Sequence, residues 1–103
     1  MKGADMEVRI ATYTFSGDED VLMRRAEAGI QPIFEAQPGF KSYTVAIGGA
    51  EVISISAWDS RADAEAGSAA VASWVEENLS EISLIGVRYG EIKFSTHLGV
   101  TTT

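Results

Sequence analysis

Residues 40–58 read FKSYTVAIGGAEVISISAW, two strand-like runs on either side of a glycine pair. Phe40 to Ile47 and Glu51 to Trp58 are rich in β-branched and aromatic residues, which favour the pleated surface of a strand. Gly48-Gly49 between them is typical of a tight hairpin turn that needs positive φ. The segment therefore predicts a β-hairpin.

The hairpin shows no alternation of apolar and charged residues. One side of the second run holds Ile53, Ile55 and Ala57, and the other side holds Val52, Ser54, Ser56 and Trp58. The first run divides into Tyr43, Val45 and Ile47 against Phe40, Ser42, Thr44 and Ala46. An antiparallel sheet with one face in water has a polar face. We therefore predict that both faces are buried, one of them against a second copy in a homodimer.

A strand and a helix are predicted before the hairpin. Met6 to Phe15 is strand-like, and Asp18 is suited to cap a helix. The apolar positions of this helix recur at helical spacing, at Leu22, Ala26, Ile30 and Ile33/Phe34. Pro32 predicts a kink or break near residues 28–32, with a last short turn to about Ala36. Pro38-Gly39 then predicts a turn.

A second helix and a final strand region are predicted after the hairpin. Ser60 and Asp63 resemble a capping box, so a helix should begin here and run to about Leu79. Its predicted buried stripe is Ala62, Ala66, Ala70 and Trp74. Ile82 to about Gly99 is consistent with one long strand or with two short ones broken at Gly86 or Gly90.

The order β-α-β-β-α-β predicts an α+β, ferredoxin-like fold with a four-stranded antiparallel sheet. The 103 residues are enough for one domain, so we expect a single domain over 1–103, with 1–5 and 100–103 as flexible tails. With a net charge of −7, no basic patch and no long apolar run, the chain predicts a cytoplasmic protein that binds neither nucleic acid nor membrane. It has no cysteine and one histidine, so we expect no metal site.

The chain resembles the antibiotic biosynthesis monooxygenase family, from about Met6 to Phe94. The resemblance is carried by Gln37-Pro38-Gly39-Phe40 and by VISISAWDSRADAEA at residues 52–66. It implies that two ferredoxin-like subunits pair as a dimeric α/β barrel. It also implies an oxidoreductase of the monooxygenase type that converts phenolic polycyclic substrates to quinones with no cofactor.

The resemblance transfers few of the family's site residues. The resemblance implies that, in the quinone-forming members, an Asn, a Trp, a Tyr and an Arg line the pocket. The matching positions in this chain are Ser54, Trp58, Ala64 and Asn78. Only Trp58 is retained. The haem-degrading members would need an Asn, a Trp and a His at roughly Ile10, Gly67 and Glu77, so the axial ligand is missing.

Six residues are candidates for ligand binding, and no catalytic residue is predicted. Trp58, Ser54 and Ser56 share one side of a strand and would line a small cavity, which Trp74 would close. Packing in the core or the dimer interface is the alternative for both tryptophans. Arg88 is a candidate to bind a phenolate or carboxylate, and a salt bridge is its alternative.

His97 is the sixth candidate and the only histidine, the residue type that ionises near neutral pH. Its alternative is an exposed or tail-packing position near the C-terminus.

Three hypotheses for function follow. The chain is a cofactor-independent monooxygenase, or a related small enzyme, acting on an aromatic or quinol-like molecule between sheet and helices. Otherwise it is a dimeric module that binds a small apolar metabolite without catalysis, or an orphan structural member.

Overall fold

The computed structural model describes residues 6–102, and all six expected elements are present in them. The elements are β1 (Glu7–Phe15), α1 (Glu19–Glu35), β2 (Phe40–Gly48), β3 (Glu51–Trp58), α2 (Arg61–Asn78) and β4 (Ile82–Glu91). The strands form one antiparallel sheet in the order β2-β3-β1-β4, with both helices on one face. The ferredoxin-like prediction is confirmed. Of the expected tails, residues 1–5 and 103 lie outside the described range.

The helix-covered face of the sheet is organised in rows that run across the strands. The first row is Phe40, Trp58, Glu7 and Glu91; the second is Tyr43, Ser56, Arg9 and Tyr89; the third is Val45, Ser54, Ala11 and Val87; the fourth is Ile47, Val52, Tyr13 and Leu84. Side chains in one row are cross-strand neighbours and can interact directly. These rows determine which residues meet beneath the helices.

A bulge near the start of β2 corrects one predicted face. The β2–β3 register shifts between Phe40 and Ser42, so that Phe40 lies opposite Trp58 and Tyr43 lies opposite Ser56. Phe40 therefore shares the helix-covered face with Tyr43, and its predicted place on the other side is wrong. An extra residue in one strand inverts the alternation of side chains before it.

The hairpin is confirmed, but its turn lies one residue later than predicted. Gly48 is still in β2 and pairs with Glu51, so the two turn residues are Gly49 and Ala50. Gly49 has a φ of 63°, and no residue other than glycine has positive φ in the described chain. One positive φ at the first turn position is typical of a II′ turn, which needs only one glycine.

Helix α1 begins as predicted and is not broken at Pro32. The Asp18 side chain accepts a hydrogen bond from the Val21 amide at 3.0 Å, capping the first turn. The helix continues through Pro32 to Glu35, so the predicted break is wrong. Proline removes the donor that would bond to the Ala28 carbonyl, and Ala28 is exposed. Water can replace the lost partner there, near the helix end.

Helix α2 buries a different stripe from the predicted one. Its cap is confirmed, because the Ser60 hydroxyl accepts from the Asp63 amide at 3.1 Å. The buried positions are Ala64, Gly67 and Val71, whereas Ala62 and Ala66 of the predicted stripe are exposed. Small residues of α2 are distributed around its whole circumference, so its sequence has little amphipathic contrast. The side of the helix that faces the sheet could therefore not be deduced from it.

The region after α2 forms one strand, β4, which ends at Glu91 rather than near Gly99. Its pairing with β1 shifts opposite Thr12 and Tyr13, so Ile85 is the extra residue. Beyond the strand, Ser95 and Val100 pair through two backbone hydrogen bonds around a turn that contains His97.

The other face of the sheet carries mainly uncharged side chains. By register these include Val8, Ile10, Thr12, Thr44, Ala46, Ile53, Ile55 and Ala57, together with the charged residues Arg88 and Glu51. We call them the open face, because no helix of the described chain covers it. Neither α1 nor α2, the helices of residues 6–102, is long and apolar enough to cross a membrane.

Candidate active site

An apolar cavity lies between the helices and the sheet. Its lining consists of Tyr13, Leu22, Met23, Ala26, Ile30, Tyr43, Val45, Val52, Ser54, Val71, Leu79 and Ile82. We call this space the helix–sheet cavity. Helix α1 supplies four of these side chains and α2 only Val71, so the cavity lies mainly under α1. Its volume is about 20 Å³, which is room for one water molecule.

Three residues of this otherwise apolar lining carry a hydroxyl group. Tyr13, Tyr43 and Ser54 lie on β1, β2 and β3, so each main strand of the sheet contributes one. Tyr43 and Ser54 share a side-chain hydrogen bond. A mostly apolar pocket with a few convergent polar groups is the usual form of a small-molecule site. The hydroxyls are suited to orient a ligand, and the apolar lining is suited to remove water from it.

Tyr43 is held in its neutral form. Burial raises the pKa of Tyr43 to about 12; the hydrogen bond with Ser54 and the charge of Arg9 oppose this rise, and Tyr13 adds to it. A phenol with so high a pKa keeps its proton at neutral pH and can donate a hydrogen bond. Tyr43 is therefore a donor towards a ligand oxygen and is not a general base at neutral pH.

The neighbouring part of the helix–sheet interface is filled by an aromatic cluster of Phe34, Phe40, Tyr43 and Trp58. The Phe34 ring lies at the centre, with centroid distances of 4.9 Å to Tyr43, 5.2 Å to Trp58 and 6.0 Å to Phe40. The Tyr43 and Trp58 contacts are edge-to-face, a favourable geometry for aromatic rings. Tyr43 belongs to both regions and marks the boundary between them.

Ser54 lies in the helix–sheet cavity, whereas Ser56 and Trp58 lie outside it. The Trp58 indole Nε1–H donates to the Ser56 hydroxyl at 2.9 Å, and both residues are completely buried. The six-membered ring of Trp58 lies under Gly67, where an added Cβ would come within 2.3 Å of it. Trp58 and Ser56 therefore fill the core beside the cavity in this structure.

Trp74 lies between the two helices and does not line the cavity. It packs on Gly29 of α1, where an added Cβ would lie 1.9 Å from its ring. Two positions matched to the quinone-forming members also lie elsewhere. Ala64 is a buried residue of α2, and it does not line the cavity. Asn78 is the exposed last residue of α2, and its side-chain amide donates to the Trp74 carbonyl at 2.9 Å.

Arg88 and His97 are both exposed and lie away from the cavity. Arg88 pairs with Ile10 in the β1–β4 register, which places it on the open face of the sheet. Tyr89, on the opposite side of β4, is covered by the Arg61 guanidinium at 4.2 Å from its ring. His97 lies in the turn between Ser95 and Val100. Of the six sequence candidates, the structure brings only Ser54 into the cavity.

The sequence analysis missed Arg9, a charged residue that is almost completely buried. Its side chain is 2% exposed, and its Nε–H donates to the Ser68 hydroxyl at 2.8 Å. Its guanidinium lies over the Phe34 ring, 5.9 Å from the centroid. A signal was present, because Arg9 alternates with Ala11 and Tyr13 on one side of β1. No group of three metal-binding side chains occurs within residues 6–102.

Known structures with similar folds include several oxygenases. SnoaB, a cofactor-independent oxygenase from Streptomyces nogalater, superposes with a TM-score of 0.72 at 14% identity, over 90% of this chain and 98% of its own. The ActVA-Orf6 monooxygenase of Streptomyces coelicolor, solved with nanaomycin D, gives 0.66 at 21% identity over 86% and 88%. The chain has the fold of these monooxygenases.

A third structure with this monooxygenase fold is a candidate antibiotic biosynthesis monooxygenase from Chloroflexus aurantiacus. It superposes with a TM-score of 0.66 at 20% identity and covers 91% of this chain and 99% of its own. The family resemblance stated from the sequence is thereby confirmed at the level of fold. No protein-family profile and no curated protein matches the chain in sequence.

Proposed function

We propose that the protein is a cofactor-independent monooxygenase, or a closely related small enzyme, that acts on an aromatic or quinol-like molecule in the helix–sheet cavity. The observation that supports this most directly is an apolar cavity whose lining includes three hydroxyl-bearing residues, in a fold shared with two oxygenases. Fold alone does not determine chemistry, so the lining of the cavity is the stronger argument.

The cavity residues have three tasks in such a reaction. The apolar lining removes water from an electron-rich phenol, and Tyr43 with Ser54 orients its oxygen. The electrons come from the substrate: one atom of O₂ becomes a carbonyl oxygen at a ring carbon that loses its hydrogen, and the phenol C–O becomes the second carbonyl as its O–H is lost. The other atom of O₂ leaves as water with these two hydrogens. The protein therefore needs no redox group, and binding and orientation are its main contributions.

A bicyclic or larger ligand requires the cavity to open. Ligand pockets usually occupy about 300 Å³ or more, far above the space present here. Trp58 packs closely under Gly67 of α2, so we expect the first half of α1, rather than α2, to move. That half faces the cavity with Met23, whose flexible side chain adapts readily to a ligand.

The homodimer remains part of this proposal, with the open face as the interface. Ile10, Ile53 and Ile55 lie side by side there, and the charged residues of this face are Arg88 and, at the hairpin end, Glu51. A second copy would remove this surface from water. We expect a dimer in sedimentation at micromolar concentration and a monomer for the variant Ile55→Glu. Sedimentation of the wild type as a monomer would contradict the proposed interface.

Oxygen uptake tests the enzyme proposal directly. The full chain is incubated with a panel of anthrones, anthrols and hydroquinones, and oxygen consumption is compared with buffer and with heat-denatured protein. We expect a faster rate for at least one phenol, and a clear loss of that rate in the variant Tyr43→Phe, which removes one hydroxyl and preserves the ring. Rates equal to buffer across the panel would refute the enzyme proposal.

The second candidate is a dimeric module that binds a small apolar metabolite without changing it. The high pKa of Tyr43 and the exposed position of His97 favour this function, because neither residue can serve as a base in the cavity at neutral pH. Thermal-shift screening separates the two candidates. A ligand that stabilises the protein and is recovered unchanged under air supports the binding module, whereas conversion of that ligand supports the enzyme.

A further inference from the structure

Arg9 is a buried cation whose role is explained neither by the fold nor by the proposed function. Within the described chain, its Nε–H donates a hydrogen bond to the Ser68 hydroxyl. Its Nη1 is buried and has no partner in the described chain. A charged donor left unsatisfied in the interior is destabilising, so a residue of this kind is expected to have an anionic partner.

The position of Arg9 places its charge beside the helix–sheet cavity. Ser68, which holds the guanidinium, precedes the cavity residue Val71 by almost one turn of α2. Phe34, which the guanidinium covers, is in edge-to-face contact with the cavity residue Tyr43. The charge of Arg9 also acts on Tyr43, whose pKa it lowers against the larger effect of burial. Arg9 does not itself line the cavity but is separated from it by one residue on each of two sides, Ser68 and Phe34.

A guanidinium favours one class of ligand group. Its planar N–H donors match the two oxygens of a carboxylate, and they also bind an ionised phenol oxygen strongly. The neighbouring cavity is apolar and lined by rings and aliphatic side chains, so it favours an aromatic body over a polar one. The two features together fit an aromatic molecule that carries one oxyanion.

Glu7 is the competing partner within the chain. It lies two residues before Arg9 on the same face of β1, and its Oε1 is also buried without a partner. The two side chains do not form an ion pair in this structure. If Glu7 neutralised Arg9 in solution, a ligand anion would gain nothing from Arg9, so the two possibilities lead to opposite results.

We propose that Arg9 binds the oxyanion, a carboxylate or an ionised phenol, of an aromatic ligand whose ring occupies the helix–sheet cavity. This rests on the cavity being the ligand site of the proposed function. Arg9 then determines specificity: it selects acidic aromatic molecules over neutral ones of the same shape.

Calorimetric titration of the full chain with naphthoate and naphthamide tests this selection. The two molecules share ring and shape and differ in charge. We expect naphthoate to bind about tenfold more tightly or better, and the preference to fall to about twofold or less in Arg9→Gln, since one charge-assisted pair is lost. An ionised nitronaphthol and its methyl ether repeat the comparison for the phenolate and show which oxyanion is preferred.

Two variants serve as controls for the charge. Arg61→Gln removes an exposed arginine that covers Tyr89, and it should leave the naphthoate preference unchanged. Glu7→Gln removes the competing carboxylate and should preserve or increase the preference. If Arg9→Gln does not fold, Ser68→Ala provides the test, because it leaves the charge and removes its anchor. It should reduce the preference about threefold, while thermal unfolding reports stability separately.

Each outcome distinguishes the two proposals. Equal binding of naphthoate and naphthamide by the wild type, with the cavity occupied, overturns the role of Arg9 and preserves the cavity as a ligand site. An unchanged preference in Arg9→Gln, or in Ser68→Ala where that variant is used, also overturns it. A preference that appears only in Glu7→Gln shows that Glu7 is the partner of Arg9. Failure of all four ligands to bind overturns the role of Arg9 as a selector of acidic aromatic molecules, whereas the proposed function is decided separately by the oxygen-uptake panel.

Discussion

The two ends of the helix–sheet interface are built by the same helices and strands but are packed differently. At one end, three aromatic rings pack around Phe34, and Gly67 lets Trp58 come within van der Waals reach of the α2 backbone. At the other end, Ala26, Ser54 and Val52 are too small to meet in the middle, and the helix–sheet cavity remains. Side-chain size, rather than helix position, decides where this fold has space for a ligand.

The two ends also differ in what they are expected to contribute: the aromatic end to stability and the cavity end to ligand binding. Interlocked rings at the aromatic end bury large apolar areas and hold the helices at a fixed distance from the sheet. The cavity end has given up some packing, which lowers stability but leaves a space that a ligand can enlarge. We therefore expect substitutions at the two ends to affect different measurements.

The largest effect is expected for Phe34→Ala. The ring is completely buried and contacts three other rings, so its loss should lower the free energy of unfolding by about 3–5 kcal/mol. Val71→Ala at the cavity end is the matched truncation and should cost about 2 kcal/mol. Urea denaturation of both variants measures the difference. A larger loss for Val71→Ala would show that the aromatic cluster is not the main source of stability.

Gly67→Ala tests the close contact of α2 with the sheet. Alanine normally stabilises a helix relative to glycine, but here its Cβ would lie 2.3 Å from the Trp58 ring. We expect the clash to dominate and to lower the free energy of unfolding by about 2–3 kcal/mol.

Gly86→Ala is the control, because nothing lies within 4 Å of a Cβ at that position on β4. Its unfolding free energy should change by less than about 0.5 kcal/mol. A stabilised Gly67→Ala variant would mean that α2 can move away from Trp58 at little cost, and that the two ends differ less than the structure indicates.

The raised pKa of Tyr43 predicts a loss of stability at high pH. Burial raises its pKa from 10.0 to about 12, so between these values the unfolded chain releases the proton and the folded chain keeps it. The free energy of unfolding therefore falls as pH rises from about 10 to 12, by as much as about 2 kcal/mol, and is unaffected below this window. Urea titrations of wild type and Tyr43→Phe at about pH 8 and pH 11 measure it. A pH-dependent loss of equal size in both proteins would exclude Tyr43 as its source.

The sequence predicts this fold well wherever its pattern is periodic. The hairpin, both helix caps and the element order follow from runs and turn residues that act locally. The errors occur where a local pattern has no unique geometry. An extra residue near Lys41 moved Phe40 to the other face, and the alanine-rich α2 could be rotated about its axis without an obvious penalty. Pro32 lies near enough to a helix end to be tolerated.

The candidate site was less predictable than the fold. Ser54 lies in the cavity because strand alternation places it there, but whether Trp58 lines a space or fills one depends on Gly67, nine residues later in α2. The buried charge of Arg9 was not anticipated, because burial depends on which face of the sheet the helices cover. Strand alternation therefore predicts the neighbours along a strand wherever no bulge intervenes, but it does not determine how deeply each side chain is buried.

Ala26→Leu gives the smallest and most selective expected effect. Ala26 faces the cavity from the middle of α1, and a leucine there would occupy the space that a ligand ring needs. Because the three added carbons exceed the space of one water molecule and need a small shift of α1, we expect the free energy of unfolding to fall by about 1 kcal/mol. Ligand affinity should fall about tenfold, a difference of about 1.4 kcal/mol, in the same calorimetric titration.

The comparison with Ala28→Leu makes this result specific to the cavity. Ala28 lies on the exposed side of the same helix, so leucine there tests the effect of the added side chain without filling the cavity. Affinity should remain at the wild-type value in Ala28→Leu. If Ala26→Leu bound the ligand as tightly as the wild type, the ligand would have to lie elsewhere, and the looser end of the interface would have to be explained by folding alone.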